Sequence, residues 1–322
     1  MAAIEVEELC RTYRSRKGVI RRKRTDVHAL RGISFEVEQG ELFGLLGPNG
    51  AGKTTTIKIL TTLLLPTSGR ARVLGFDPAR QPGDIRRRIG HVFGGDRGLY
   101  DRLSALDNLR YFADLYRVPV REKRHRIAEL LDLVGLTGRE RERVETYSRG
   151  MRQRLHIARG LLHDPEILFL DEPTIGLDPV GAREVRETVA NLRDQGKTVL
   201  LTTHYMYEAD ELCQRIAVIA GGVFVATGTP AELKARVLDR TVIEIETFGI
   251  EERILERLRA VPGVAAVTTE TRDQSEMVLV QSRVGAELVQ VLLRELDGAT
   301  LGKVITREPT LEDAYVELVQ AP

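Results

Sequence analysis

The sequence predicts an α/β fold with a mainly parallel sheet, an inserted helical subdomain and a small α+β domain at its C-terminal end. Apolar strands alternate with helical segments through the first two thirds of the chain. A glycine-rich loop joins one of these strands directly to a helix. This alternation indicates a parallel sheet, because parallel strands need long crossover connections that are usually helical.

Composition limits the classes of protein that fit. The chain has 322 residues, more than a typical domain, and its 48 Lys and Arg residues nearly balance its 47 Asp and Glu residues. A net charge of +1 excludes a global field that would recruit nucleic acid, so we expect no nucleic-acid partner. The widely separated Cys10 and Cys213 are typical of a reducing compartment. No apolar run reaches about 18 residues and the start is acidic, so we expect a cytoplasmic protein.

The first elements in order are strands at residues 4–9, 33–37 and 42–46, identified by apolar residues in strand periodicity. A basic stretch, residues 14–24, lies between the first two strands. Such a stretch could contact phosphate or lipid headgroups, but a solvated loop is the commoner meaning. We assign it no function.

Residues 101–163 are helical and heavily charged, which predicts an inserted helical subdomain. Strands resume at 167–170 and 198–202, separated by a helix at 180–193. We expect a first domain over residues 1–238 and a small α+β domain over 239–322. The second domain is predicted from three strands and two helices, at residues 242–245, 264–268, 277–280, 251–260 and 285–296.

The glycine-rich loop carries the first chemical signal, a G-x-x-x-x-G-K-[ST] pattern between strand and helix. Its glycines let backbone N–H groups converge on a phosphate, and the following helix adds its positive N-terminal dipole. Lys53 is expected to bridge the β- and γ-phosphates, and the Thr54 hydroxyl to ligate Mg²⁺. The alternative, an ordinary turn with an exposed lysine, is disfavoured by the strand and helix around it. The predicted nucleotide-binding residues here are Gly47, Pro48, Asn49, Gly50, Ala51, Gly52, Lys53, Thr54 and Thr55.

Two acidic residues, Asp171 and Glu172, end the apolar strand that starts at residue 167. The carboxyl end of a parallel strand is where this class of fold binds its ligands. Asp171 is expected to hold Mg²⁺ through water, and Glu172 to orient or deprotonate the attacking water. Surface acids at a strand end are the alternative. Together with the phosphate loop, the pair predicts hydrolysis of a nucleoside triphosphate.

The segment Tyr147-Ser148-Arg149-Gly150-Met151 precedes a helix. Here the chain resembles the ATP-binding subunits of ABC transporters, whose Ser-x-Gly signature opens a helix that caps the γ-phosphate bound by the other protomer. Ser148 and Gly150 match this signature, whereas the other three residues depart from the family's commonest Leu-Ser-Gly-Gly-Gln. Taken alone, Ser148 would be an ordinary helix N-cap.

Further matches extend the resemblance to about residue 235. Asp178, in Gly176-Leu177-Asp178-Pro179, resembles the D-loop that meets the partner subunit, and His204 resembles the switch histidine that contacts the γ-phosphate. Tyr13 lies where the family places an aromatic residue against adenine, although a core tyrosine is the alternative. The resemblance implies catalytic roles for Glu172, His204 and Lys53. It also implies MgATP, a homodimer through the ATP sites, and a separate membrane permease that holds the chain at the inner face of the membrane.

Residues 94–96 depart from the family's pattern, and residues 308–315 indicate a subgroup within the family. The Q-loop glutamine is replaced by Gly94-Gly95-Asp96, where a flexible turn is more typical than an oxygen ligand from Asp96. The tail, residues 308–315, resembles the C-terminal extension of exporters of the daunorubicin-resistance type, which implies a drug, antibiotic or lipid-like substrate. Alternatives are a soluble ABC ATPase acting on ribosomes or nucleic acid, an importer ATPase, and a kinase, which shares the phosphate loop. We interpret the tail domain as stabilising the dimer or regulatory.

Overall fold

The computed structural model describes residues 2–17, 23–94, 98–237, 240–272, 275–297 and 299–320. The chain divides into two compact units, Met1–Pro230 and Ala231–Pro322, which are treated separately below. The domain limit at residue 238 stays a prediction.

The larger unit contains nine described strands and seven described α-helices. The strands are β1 (Ala2–Lys17), β2 (Lys23–Glu38), β3 (Leu42–Leu46), β4 (Ser68–Val73), β5 (Ile89–Phe93), β6 (Ile167–Asp171), β7 (Thr198–Thr203), β8 (Arg215–Ala220) and β9 (Val223–Gly228). The helices are α1 (Lys53–Leu60), α2 (Pro82–Arg86), α3 (Ala105–Leu115), α4 (Val120–Leu133), α5 (Arg149–Leu161), α6 (Pro179–Asp194) and α7 (Met206–Leu212).

The central sheet has six strands in the order β5-β6-β7-β3-β8-β9, and all neighbouring pairs are parallel except β8 with β9. The prediction of a mainly parallel sheet is confirmed. Strands β3, β6 and β7 are buried along their whole length, as expected for parallel strands covered on both faces. The carboxyl ends of these three strands therefore open at one edge of the sheet, where the loops after them meet.

A second, antiparallel sheet has the order β2-β1-β4 and packs on the first. Phe35 of β2 stacks on Phe43 of β3, with ring centroids 5.5 Å apart, inside one shared apolar cluster. The loop interpretation of residues 14–24 is wrong for its described parts, because β1 runs through Lys17 and β2 begins at Lys23. The two strands pair residue by residue there, since a backbone ladder does not depend on apolar side chains. Residues 18–22 of this stretch lie outside the described residues.

Helices α3, α4 and α5 fall within residues 101–163, the expected helical subdomain, and a short 3₁₀ turn at Val144–Thr146 precedes α5. Helix α3 starts at Ser104, whose side chain accepts from the Asp107 N–H and donates to the Asp107 carboxylate. Ser104 is therefore the N-cap of α3. None of the described helices has both the length and the hydropathy needed to cross a bilayer.

The smaller unit is built on a four-stranded antiparallel sheet packed against helices. Its elements are α8 (Pro230–Ala235), β10 (Thr241–Thr247), α9 (Glu252–Ala260), β11 (Val264–Arg272), β12 (Ser275–Ser282), α10 (Val289–Glu295), β13 (Leu301–Arg307) and α11 (Leu311–Gln320). The strand order β11-β12-β10-β13 with the connectivity βαββαβ is that of ferredoxin-like domains. Ile243, Ile245, Val278 and Val280 face α9 and α10, whereas Val242, Met277 and Leu279 form a separate cluster on alternate residues of the strands.

Candidate functional site

The loop after β3 approaches its neighbours so closely that side chains cannot be accommodated at two of its glycines. A Cβ on Gly47 would lie 2.2 Å from the carbonyl oxygen of Ile219, and one on Gly52 would lie 2.7 Å from that of Ala29. Gly52 also has a φ of +117° where the chain turns into α1, a conformation that favours glycine. The loop therefore presents backbone N–H groups at the start of a helix, which is an arrangement suited to phosphate.

Lys53 opens α1 and is only 3% exposed. Its Nζ donates a hydrogen bond to the Gly47 carbonyl at 2.7 Å and lies 3.0 Å from Oε1 of Glu172. The cation thus bridges the phosphate loop and the end of β6.

Glu172 occupies the turn directly after β6 with a φ of +49°, a left-handed conformation that is strained for a residue with a side chain. Its N–H donates to the carbonyl of Thr202, which holds this conformation in place. The Glu172 Oε2 atom lies 3.2 Å from Nδ1 of His204. The structure therefore joins the three predicted catalytic residues in one chain of contacts, with Glu172 between Lys53 and His204.

Asp171 is the last residue of β6 and is 6% exposed. Its Oδ1 accepts hydrogen bonds from the hydroxyls of Thr54, at 3.2 Å, and Thr202, at 2.6 Å. Sequence reasoning missed Thr202, although its place just before Thr203-His204 at a strand end was a usable signal. A buried carboxylate beside a hydroxyl offers the hard oxygen donors that Mg²⁺ prefers. Within the described part of the chain, no three His, Cys, Asp or Glu side chains form a metal cluster.

Tyr13 lies on β1 with its hydroxyl 3.4 Å from Oγ1 of Thr55, at the rim of the phosphate loop. The side chain is 36% exposed, which does not fit the alternative of a core tyrosine. The Arg11 guanidinium lies over the ring, 4.8 Å from its centroid. An exposed ring beside the loop can stack on a planar base.

Ser148, Gly150 and Asp178 form a second group, at the facing N-termini of α5 and α6. Ser148 caps α5 by accepting from the Met151 N–H, and a Cβ on Gly150 would lie 2.9 Å from Cα of Gly181. Asp178 caps α6, and the hydrogen bond from the Gly181 N–H lowers the pKa of its carboxyl. Each polar side chain of this group is thus used at its own helix, and the two helices meet backbone to backbone.

Gly94 follows β5 and adjoins the carboxylate pair. Its N–H donates to the Asp171 carbonyl at 2.7 Å, and a Cβ there would lie 2.7 Å from the Glu172 carbonyl oxygen. Only glycine fits this position, so no side chain can enter the site from residue 94. The remaining residues of the departure from the family's Q-loop, Gly95 and Asp96, lie outside the described residues.

Two histidines of the larger unit have lowered pKa values, the half-buried His91 on β5 and the buried His156 on α5. Burial, together with the positive charge of Arg159, lowers the pKa of His91 to about 4 and that of His156 to about 3. Both imidazoles are therefore neutral at physiological pH.

The fold and the loop define a P-loop nucleotide hydrolase. Residues 30–175 match the family model described as ABC transporter. The chain is 36% identical over 291 residues to the linearmycin resistance ATP-binding protein LnrL of Bacillus subtilis (strain 168), covering 90% of this chain and 93% of that protein. It is 40% identical over 297 residues to the daunorubicin resistance ATP-binding protein DrrA3 of Streptomyces coeruleorubidus, covering 91% and 92%.

Solved structures agree. The dimeric, post-hydrolysis structure of the ATP-binding cassette MJ0796 with ADP and Pi is 26% identical with a TM-score of 0.60, covering 70% of this chain and 98% of that one. The cbiO1 subunit from Clostridium perfringens is 28% identical with a TM-score of 0.63, covering 80% and 94%. The chain therefore belongs to the ABC transporter family. It is an ATP-binding subunit that hydrolyses ATP.

Proposed function

We propose that two copies of this chain enclose two MgATP molecules and use their hydrolysis to drive a separate membrane permease that exports drug-like compounds. The observation that carries the proposal is the contact chain Lys53–Glu172–His204 beside the phosphate loop. The identity of the relatives supports export, since they include proteins named for resistance to linearmycin, daunorubicin and doxorubicin.

Nucleotide binding is assigned to the loop at residues 47–55 and to Tyr13. The phosphates would lie against the N-terminus of α1, and Lys53, which opens this helix, would contact them. Tyr13 adjoins Thr55 at the rim of the loop. A nucleotide whose phosphates are bound in the loop could therefore stack its base on the Tyr13 ring.

Thr54 and Asp171 would hold the magnesium ion, directly or through water, because their oxygens adjoin each other at the end of β6. When bound, the ion would neutralise charge that develops on the phosphate oxygens. Thr202 would orient the Asp171 carboxylate for metal binding, since the hydroxyls of Thr202 and Thr54 both donate to Asp171 Oδ1.

Hydrolysis is assigned to Glu172, which would orient the attacking water and accept its proton. The strained backbone at Glu172 and its hydrogen bond to Thr202 fix the direction in which the carboxylate points. His204, in contact with Glu172, would sense the γ-phosphate, and Lys53 would stabilise charge on the transferred group.

The partner's nucleotide is assigned to the second group, Ser148, Gly150 and Asp178. Helix α5 has 13 residues and an exposed N-terminus, so its dipole can face a phosphate bound by another protomer. The likeness to a dimeric cassette supports a homodimer closed through the ATP sites.

The permease would dock on the helical subdomain. Helix α3 and the segment before it expose Tyr100, Tyr111 and Leu115, at 47%, 45% and 60%, and the exposed Tyr116 follows the helix. Tyr100 and Tyr111 pack edge to face, with ring centroids 5.1 Å apart. An exposed aromatic patch is typical of protein contacts, and this one would hold the chain at the inner face of the membrane.

The alternatives of a ribosome-acting ATPase and an importer have no support among these relatives.

The test starts from the Glu172→Gln chain, affinity-purified with MgATP from detergent-solubilised membranes. We expect a dimer by size-exclusion chromatography, trapped with ATP, and a polytopic membrane protein in stoichiometric amount. Glu166→Gln, which changes an exposed carboxylate before β6, is the matched control and should bring down the same membrane protein without a trapped ATP dimer. Ribosomal or nucleic-acid partners without a membrane protein would contradict the exporter.

Co-expression of the chain with that permease should then lower doxorubicin accumulation in a sensitive host. Glu172→Gln should abolish this effect, because the proposed export depends on hydrolysis. Equal accumulation with the wild-type chain and with Glu172→Gln would exclude this compound as a substrate.

A further inference from the structure

A buried carboxylate that the proposed mechanism does not use is bonded to the residue that precedes His204. Glu208 belongs to α7 and is 3% exposed. The Thr203 hydroxyl donates to its Oε2 at 2.7 Å, and the Thr174 hydroxyl donates to its Oε1. A buried carboxylate is stable only when hydrogen bonds replace its water, so these two hydroxyls are held firmly in place.

Thr203 controls the turn that carries His204. Its hydroxyl accepts from the N–H of Tyr205 at 2.9 Å, on the far side of His204, while its single proton goes to Glu208. Its carbonyl also accepts from the Gly47 N–H of the phosphate loop, at 3.4 Å. The hydrogen bond to Glu208 orients the Thr203 hydroxyl, and this hydroxyl in turn holds the N–H of Tyr205. Glu208 therefore helps to set the geometry of the turn at His204.

Thr174 lies at the other end of the same carboxylate, between Glu172 and Asp178 in the chain. It is 4% exposed, and its carbonyl accepts from the N–H of Leu177 at 3.1 Å. Leu177 immediately precedes Asp178, the cap of α6. Glu208 thus joins the segment that leads to Asp178 with the turn that carries His204.

We infer that Glu208 is a positioning residue that couples these two segments, so that contact of a partner subunit at Asp178 sets the position of His204. The inference rests on the proposed roles of Asp178 and His204. Because the carboxylate and both hydroxyls are buried, water cannot readily replace either hydrogen bond. A displacement at Thr174 is therefore passed to Thr203.

The experiment compares Thr174→Val, which removes the hydroxyl at nearly constant volume, with Thr174→Ser, which keeps it. We expect Thr174→Val to lower kcat for MgATP hydrolysis by the purified full chain about tenfold, with KM changed less than about twofold. Thr174→Ser should retain the wild-type kcat. Glu208→Gln should lower kcat similarly, and adding Thr174→Val to it should cause no further loss, because both changes break one connection.

Glu211→Gln is the matched control on α7, since Glu211 is an exposed carboxylate paired with Arg186 at 3.0 Å, and its kcat should stay at the wild-type value. If Glu208→Gln does not fold, Thr203→Val and Thr203→Ser replace it in the same comparison. A lower Tm for Thr174→Val with unchanged kcat would overturn the inference, and so would equal losses in Val and Ser variants. A wild-type chain without MgATP turnover would instead overturn the proposed function.

Discussion

The two groups of site residues use their contacts in opposite ways. Around the phosphate loop, polar side chains contact one another within the protomer, as Lys53, Glu172 and His204 show. In the second group, Ser148 and Asp178 are used as helix caps, and what remains exposed is the N-terminus of a helix. The first group supplies the charged side chains of the reaction and the second supplies the end of a helix. In the proposed dimer, a complete site would take one group from each of two protomers.

The largest expected effect is on the charged group. Glu172→Gln keeps the size of the side chain but removes the base, so we expect kcat for ATP hydrolysis to fall by about 10²- to 10⁴-fold. ATP binding should persist, because the loop and Tyr13 are unchanged. Single-turnover hydrolysis measures the loss and equilibrium binding of ATP measures the retained affinity. Turnover within about threefold of the wild type would remove Glu172 from its assigned role.

The next largest effect is expected from a substitution in the second group that changes no charged residue. Gly150→Ala would place a Cβ 2.9 Å from Cα of Gly181, so α5 and α6 must separate. Overpacking of this kind costs about 1–3 kcal/mol, and we expect at least a tenfold loss of hydrolysis, since the N-terminus of α5 is displaced. ATP affinity of the monomer should change little, which a titration at low protein concentration would check.

Gly83→Ala on α2 is the control for that variant, because a Cβ there would meet no atom within 4 Å. It should hydrolyse ATP as the wild type does. Normal hydrolysis by Gly150→Ala would show that the close approach of α5 and α6 is dispensable.

A smaller effect concerns stability. In the folded chain His156, on α5, stays neutral down to a pKa of about 3, whereas in the unfolded chain its pKa is near 6.5. As pH falls, His156 therefore takes up a proton in the unfolded state first. The contribution of the neutral His156 to the free energy of unfolding is complete above pH 6.5 and is lost progressively toward pH 3. By pH 5 the loss from this residue is about 2 kcal/mol.

Urea unfolding at pH 7 and pH 5 measures that loss, with His156→Asn for comparison. The variant should lose about 2 kcal/mol less than the wild type between the two pH values. His91, whose folded pKa is about 4, should behave in the same direction. Equal pH dependence in wild type and variant would mean that His156 titrates normally in the fold.

The sequence predicted the parts of the site that local motifs define and missed those that depend on distant pairing. Gly47–Thr54 and Asp171-Glu172 are contiguous patterns, so their chemistry could be inferred directly. Gly94 reads as a turn, and its contact with Asp171 exists only because β5 and β6 pair in parallel with Phe93 opposite Asp171.

The same limit applies to the smaller unit. Strands near β10, β11 and β12 were predicted from their apolar residues, whereas β13 (Leu301–Arg307) was not, since a glycine and two basic residues interrupt its apolar pattern. The strand order of this sheet likewise depends on pairing between distant segments, as in β10 with β13. Apolar periodicity carries no information on which strands pair.

The smallest expected effect separates binding from chemistry within the first group. Tyr13→Ala removes the ring that would stack on the base and should raise KM for MgATP about tenfold at unchanged kcat. Tyr13→Phe should stay within about twofold of the wild type, because the hydroxyl makes only a long, exposed contact with Thr55. Steady-state kinetics of both variants give the comparison. A loss of kcat in Tyr13→Phe would mean that the hydroxyl positions Thr55 for the reaction. Tyr13 could then no longer be separated, as a residue that only binds the nucleotide, from the residues that carry out hydrolysis.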